Sequence, residues 1–143
     1  MSSAIYITIF LISASIMDIR SRRVPIWILL LGGGVVLTVL AGQMISGVVK
    51  YYEVCTGILP GLILLLIAFA TKKAGYGDGI VLLLVGMVSG GGKGLWIFCI
   101  SLFLISIFSV ILLLCHKVRR NSEVPYLPFL TVAWILISGT GVS

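Results

Sequence analysis

The sequence has few charged residues. Asp, Glu, Lys and Arg make up only 10% of its 143 residues, whereas a soluble domain has about 25%. Hydrophobic residues account for 60%, and the mean hydropathy is +1.27. A water-soluble fold could not cover its surface with so few charges. The composition therefore excludes an ordinary soluble domain and indicates that lipid is the main solvent of this chain.

Potential metal ligands are also scarce. The chain has three cysteines (Cys55, Cys99 and Cys115) and one histidine (His116), and no two cysteines form a C-x-x-C pair. A structural zinc site needs about four such ligands. The spacing also does not suggest a disulfide framework. We therefore expect no metal and no cofactor, and we interpret the cysteines as small apolar residues.

Long uncharged stretches are what the chain does have. A membrane-spanning helix needs about 20 mostly apolar residues. Six uncharged runs fit or approach this length, and only the fourth is short: 1–17, 24–49, 54–71, 79–92, 94–115 and 124–143. No composition shift suggests a second domain. We predict a single transmembrane domain over residues 1–143.

The distribution of basic residues selects a topology. If all six runs cross the membrane, eight basic residues lie on one side: Arg20, Arg22, Arg23, Lys72, Lys73, Lys117, Arg119 and Arg120. Only Lys50 and Lys93 lie on the other. Without the fourth crossing the division is six against four. Because basic loops stay in the cytoplasm, we predict an all-α protein of the plasma membrane with six transmembrane helices and both termini outside. The net charge of +6 then fits anionic lipid headgroups rather than nucleic acid.

Two aspartates are the candidate chemical groups. Asp18 and Asp78 are the only aspartates, and in the six-helix topology both lie at the cytoplasmic end. An ionisable residue at membrane depth is costly and by default suggests function. Two adjacent carboxylates can share a proton, so that one acts as an acid and the other as a base. The helix dipole favours Asp78, at a helix start, as the ionised partner. Alternatively, Asp78 is a helix cap and Asp18 a solvated charge paired with Arg22.

Glycines surround the second aspartate, because residues 75–79 read G-Y-G-D-G. Glycine allows unusual backbone angles and the close approach of another chain. A peptidase must hold its substrate extended against its own backbone. The turn therefore suits a carboxylate that acts on a peptide, although a flexible loop between helices would have the same composition.

These features resemble a known family. G-Y-G-D is similar to the G-x-G-D motif of aspartic peptidases that act in membranes, the type IV prepilin peptidases and presenilin-like enzymes. Residues 18–25, D-I-R-S-R-R-V-P, resemble the first catalytic aspartate of the prepilin branch with its basic stretch and hydrophobic-Pro pair. Residues 124–130, V-P-Y-L-P-F-L, resemble its late I-P-F-x-P-F-L motif. Two positions depart from the pattern: Ile26 replaces a frequent Asn, and Ile80 a frequent Lys.

The resemblance implies a function. Asp18 and Asp78 would form the catalytic dyad of an aspartic endopeptidase, with no metal. Five further residues would bind the substrate or shape the site: Gly75, Gly77, Gly79, Pro125 and Pro128. The substrate would be a prepilin or pseudopilin of a type IV pilus-like system, with a basic leader and an apolar helix lying in the bilayer. The chain has no room for the methyltransferase insert of larger members, so it resembles the short form. The glycine pattern does not define an oligomeric state.

Three other readings remain at the level of sequence. A small proton- or cation-coupled transporter would use the aspartates as an ion path, although such charges tend to lie near the bilayer midplane. A non-enzymatic scaffold of a pilus or secretion machine would leave the G-Y-G-D turn without a role. A presenilin-like or signal-peptide-cleaving enzyme would share the chemistry and differ in substrate.

Overall fold

The computed structural model describes residues 2–21, 25–72, 76–115 and 124–140, and is all-helical. The described residues form six helices, each of which overlaps one of the predicted apolar runs: α1 (Ser2–Ser21), α2 (Ile26–Ile45), α3 (Tyr51–Thr71), α4 (Tyr76–Ser89), α5 (Gly91–Leu114) and α6 (Leu127–Thr140). The predicted all-helical fold is confirmed, and six membrane crossings with both termini outside stay a prediction. Six of the eight basic residues that selected the topology lie outside the described residues: Arg22, Arg23, Lys73, Lys117, Arg119 and Arg120.

The helices differ in length. Among the described residues, four are long and apolar enough to cross a membrane: Ala4–Ser21, Ile26–Ile45, Tyr51–Thr71 and Gly92–Leu114. Helices α4 and α6 have 14 residues each, or about 21 Å, against a hydrocarbon core of about 30 Å. The short fourth helix agrees with the sequence. The sixth begins at Leu127, three residues into its 20-residue run, and its described part ends at Thr140.

Helix α4 lies at the centre of the helix packing. It contacts α2, α3 and α5, while α1 packs on α2 and α6, and α5 packs on α3 and α6. Half of the residues of α4 are buried: Gly79, Val81, Leu82, Leu84, Val85, Gly86 and Val88. Gly90 alone connects α4 to α5, with φ of +79°. Glycine adopts that angle without steric strain, which allows a sharp reversal of the chain.

Glycines bring α3 and α4 into backbone contact. A Cβ atom on Gly57 would overlap the carbonyl oxygen of Gly86, and a Cβ on Gly86 would overlap that of Gly57. A Cβ on Gly94 of α5 would lie 3.1 Å from the Cα of Gly86. Small residues at such positions let membrane helices approach closely. This contact fixes α4, and with it Asp78, relative to α3 and α5.

Polar side chains fix α1 against α6. The indole N–H of Trp134 donates to Thr8 Oγ1 at 3.0 Å, and the hydroxyls of Ser15 and Thr131 share a hydrogen bond of 2.6 Å. The order of these pairs along the two helices shows that they run antiparallel. Hydrogen bonds between helices are a recurrent source of specificity in membrane proteins. The seam leads to Asp18, at the end where α1 finishes and α6 begins.

Candidate active site

Asp18 is buried at the end of the α1–α6 seam. It lies in the last turn of α1, which continues to Ser21, and its side chain is 5% exposed. The backbone N–H of Leu127, the first residue of α6, donates to Asp18 Oδ2 at 3.3 Å. A buried carboxylate needs such partners because it has lost its water. Asp18 is therefore enclosed by the protein, so it is not a solvated charge at the end of the helix.

Asp78 lies in the first turn of α4. The helix begins at Tyr76, so Asp78 is its third residue rather than a cap that precedes it. Its side chain is half-buried. The neighbouring Gly79 is buried, and a Cβ there would lie 2.8 Å from the side chain of Leu65 on α3. In this structure Gly79 serves helix packing, Gly77 is partly exposed, and Gly75 lies outside the described residues.

The fold brings the two aspartates together from distant positions in the sequence. Asp18 and Asp78 lie close enough for their negative charges to act on each other. Both occupy the end of the bundle where α1 finishes and where α4 and α6 begin. Like charges at short range disfavour ionisation of both groups, which is the physical requirement for a shared proton.

In the structure, helix dipoles do not decide which of the two aspartates is the more easily ionised. Asp78 lies in the first turn of α4, where a negative charge is favoured. Asp18 lies near the unfavourable end of α1, but it also accepts the first N–H of α6. At Asp18, the positive end of the α6 dipole therefore compensates for the negative end of the α1 dipole. This compensation depends on tertiary packing, so the sequence did not reveal it.

Tyr126 is a site residue that the sequence interpretation missed. It lies directly before α6, is 7% exposed, and shares a hydrogen bond of 2.6 Å with the hydroxyl of Ser101 on α5. The charge of Asp78 acts on its hydroxyl group. A buried tyrosine hydroxyl usually needs a partner. That rule was the available signal, because Tyr126 stands where the resembling motif has Phe.

The two predicted prolines flank this residue. Pro125 precedes Tyr126, and Pro128 is the second residue of α6. Proline is tolerated there because the first helical N–H groups have no partner within the helix. The carbonyl of Tyr126 accepts the N–H groups of Phe129 and Leu130 at 3.1 and 3.2 Å. The prolines thus border the turn that meets the aspartates, and a contact with substrate stays a prediction.

Among the described residues, no group of three His, Cys, Asp or Glu side chains could hold a metal ion. The three cysteines are exposed on the helix surfaces. The described part of the site offers two carboxyl groups, one tyrosine hydroxyl and backbone N–H groups. Such a set can move protons and polarise a carbonyl group.

A family model described as the type IV leader peptidase family matches residues 5–115. The chain belongs to this family. The matched range exceeds half of the chain and includes both aspartates, helices α2 to α5 and all but the first three residues of α1. It ends before Tyr126, so the late V-P-Y-L-P segment lies beyond it. No curated protein and no solved structure matches the chain.

Membership in the type IV leader peptidase family confirms the predicted resemblance. It implies a peptidase with prepilin-type substrates. Together with the four long apolar helices, it indicates a multi-pass membrane protein.

Proposed function

We propose that this chain is an aspartic endopeptidase that cleaves the basic leader of type IV prepilin-like proteins at the cytoplasmic face of the plasma membrane. The observation that carries the proposal is the meeting of Asp18 and Asp78 at one end of the helix bundle. They are the only aspartates of a leader peptidase family member. A transporter or scaffold would not need this pairing at a helix end.

The two carboxyl groups would act as one unit that holds one proton. The ionised member takes a proton from a water molecule, whose oxygen attacks the scissile carbonyl carbon. The protonated member donates to the carbonyl oxygen as the carbonyl π bond breaks, which gives a tetrahedral intermediate with two hydroxyl groups. The water-derived proton then passes to the leaving nitrogen and the C–N bond breaks, while one hydroxyl proton of the intermediate returns to the other aspartate. The dyad thus regains its single proton, and the products are a carboxylic acid and an amine. Acid–base catalysis of this kind accelerates reactions by about 10²–10⁴-fold per group.

The proposed orientation places the dyad in the cytoplasm-facing half of the membrane. Helices α1 and α6 run antiparallel, which agrees with an even number of crossings and with both termini on one side. In the six-crossing topology predicted from the sequence, the excess of basic residues falls on the same side of the membrane as the two aspartates. A substrate with an apolar helix would lie in the bilayer with its cleavage site at that interface. Gly75, Gly77, Pro125 and Pro128 are the residues that we expect to border the bound leader.

Coexpression with a prepilin-like substrate tests the proposed activity. We expect the chain to shorten the substrate, which a gel detects as a size shift, and the new N-terminus to follow the basic leader. A matched substrate whose leader lysines and arginines are changed to glutamine is expected to be cut more slowly. Absence of cleavage for every substrate with a basic leader, despite normal insertion of the enzyme, would contradict the proposal. Ion uptake by vesicles that contain the chain would then favour the transporter.

Fusions to alkaline phosphatase test the orientation. We expect a fusion after Gly47, between α2 and α3, to be active because that connection lies outside. A fusion after Asn121 is expected to be inactive because the preceding basic cluster, with Lys117, Arg119 and Arg120, holds that loop inside. Equal activity of the two fusions, with both proteins inserted, would contradict six crossings.

A further inference from the structure

We propose that Ser101 and Tyr126 form a positioning pair, which anchors the start of α6 so that the Leu127 N–H reaches Asp18. The inference rests on the proposed peptidase function and adds two residues to it. Neither residue is placed in contact with the scissile bond. Both act through the geometry of the two aspartates.

The protons of the pair can be assigned from the hydrogen bonds. The Ser101 hydroxyl donates to the carbonyl oxygen of Phe98 at 2.8 Å. A serine hydroxyl has one proton, so the 2.6 Å hydrogen bond between the two hydroxyls is donated by Tyr126. Ser101 is fully buried and Tyr126 is 7% exposed. The hydroxyl proton of Tyr126 is thus donated to Ser101, and the Tyr126 oxygen can only accept hydrogen bonds from other groups.

The position of Tyr126 in the chain makes this anchor relevant to both aspartates. Leu127, the next residue, donates its N–H to Asp18 Oδ2 at 3.3 Å. The charge of Asp78 acts on the Tyr126 hydroxyl itself. The Ser101 bond joins the middle of α5 to the residue that precedes α6. One hydrogen bond therefore restrains a donor to the first aspartate and a neighbour of the second.

Replacing either partner has unequal consequences. Changing Ser101 to Ala leaves a buried tyrosine O–H without its acceptor. Changing Tyr126 to Phe removes the group that needs a partner, and Ser101 keeps its bond to Phe98. An orphaned buried donor costs more than the loss of both partners. The resembling motif has Phe at this position, which agrees with a tolerated Tyr126→Phe change.

The test measures kcat and KM for cleavage of a prepilin-like peptide by purified protein in lipid vesicles. We expect Ser101→Ala to lower kcat roughly tenfold and Tyr126→Phe to lower it about threefold, with KM little changed in both. The double variant Ser101→Ala/Tyr126→Phe is expected to match Tyr126→Phe, and so to recover activity relative to Ser101→Ala. That recovery is the signature of a pair.

Two variants serve as matched controls. Ser13 donates to the carbonyl of Phe10 at 2.8 Å, the same bond within its helix that Ser101 makes to Phe98. Tyr6 is 54% exposed on α1. We expect Ser13→Ala and Tyr6→Phe to keep the wild-type kcat. A loss in these variants equal to that of Ser101→Ala would overturn the assignment, because any serine or tyrosine change would then suffice.

The pH dependence of kcat separates positioning from stability. An N–H that donates to a carboxylate favours its ionised form. A poorly aimed Leu127 N–H is therefore expected to move the acidic limb of the Ser101→Ala profile to higher pH. Among the described residues, Asp78 and Tyr126 are further titratable groups at this end of the bundle. An unmoved limb together with lower thermal stability would overturn the proposal in favour of a structural role. Wild-type kcat in Ser101→Ala, beside inactive Asp18→Asn, would overturn the pair alone. Cleavage by Asp18→Asn would overturn the peptidase mechanism instead.

Discussion

Replacing Asp78 with Asn is expected to lower the rate of prepilin cleavage by about 10²–10⁴-fold, which is the usual range for the loss of a general acid or base. Asp18→Asn is expected to have an effect of the same size, because neither carboxyl group can perform both proton transfers. Asn has almost the same shape as Asp but does not exchange a proton near neutral pH. Initial rates at saturating substrate, compared with those of the native chain, measure the effect.

The Asn variants are suitable because they preserve the fold. The side-chain oxygen of Asn at position 18 can still accept the Leu127 N–H, which donates to Asp18 Oδ2 in the native chain. We therefore expect both variants to insert and to unfold at close to the native temperature. Asp18→Leu, by contrast, would leave that buried N–H unpaired and serves as a destabilised comparison. A folded Asp18→Asn enzyme with native kcat would exclude Asp18 from the dyad.

Replacing Gly86 with Ala is expected to destabilise the protein by about 3 kcal/mol or more, at the upper end of the range for overpacked cores. The added methyl group would overlap the carbonyl oxygen of Gly57, and backbone cannot move aside as a flexible side chain can. Helices α3 and α4 would have to separate. Because Asp78 is in the first turn of α4, we also expect loss of cleavage. Thermal unfolding in detergent measures the change.

The chain offers a control for that substitution. A Cβ on Gly34 would meet no atom within 4 Å. Gly34 lies inside α2, where alanine is favoured over glycine by about 1 kcal/mol. We expect Gly34→Ala to be neutral or stabilising and fully active. Equal unfolding temperatures for Gly86→Ala and Gly34→Ala would contradict the backbone contact between α3 and α4.

The scarcity of charged residues made much of this architecture predictable. With charges in only 10% of the residues, each uncharged run predicted a helix, and the six helices are present. The same scarcity singled out Asp18 and Asp78 before any contact was known. Family membership, shown over residues 5–115, agrees with the resemblance drawn from those residues. Asp18 and Asp78 could therefore be singled out from the sequence, and their role as a catalytic dyad stays a prediction.

Other features depend on tertiary contacts and were not predictable. Ser101 is one of three serines in the long apolar helix α5, and its neighbours in the sequence do not indicate that it is the acceptor for Tyr126. The N–H of Leu127 reaches Asp18 only because α6 packs antiparallel to α1. Gly79 was predicted to bind the substrate or shape the site, and its packing against the side chain of Leu65 is a further contact that the sequence does not indicate. The uncharged run 124–143 also predicted an earlier start for α6 than Leu127, where the helix begins.

The central claim is that Asp18 and Asp78 together hydrolyse a peptide bond. Its most direct test uses purified protein in lipid vesicles, a synthetic prepilin-like peptide with a basic leader, and mass spectrometry of the products. The native chain is expected to yield two fragments whose masses sum to that of the peptide plus one water. Folded Asp18→Asn and Asp78→Asn proteins are expected to yield neither fragment. Both fragments at the native rate from either variant would contradict the claim.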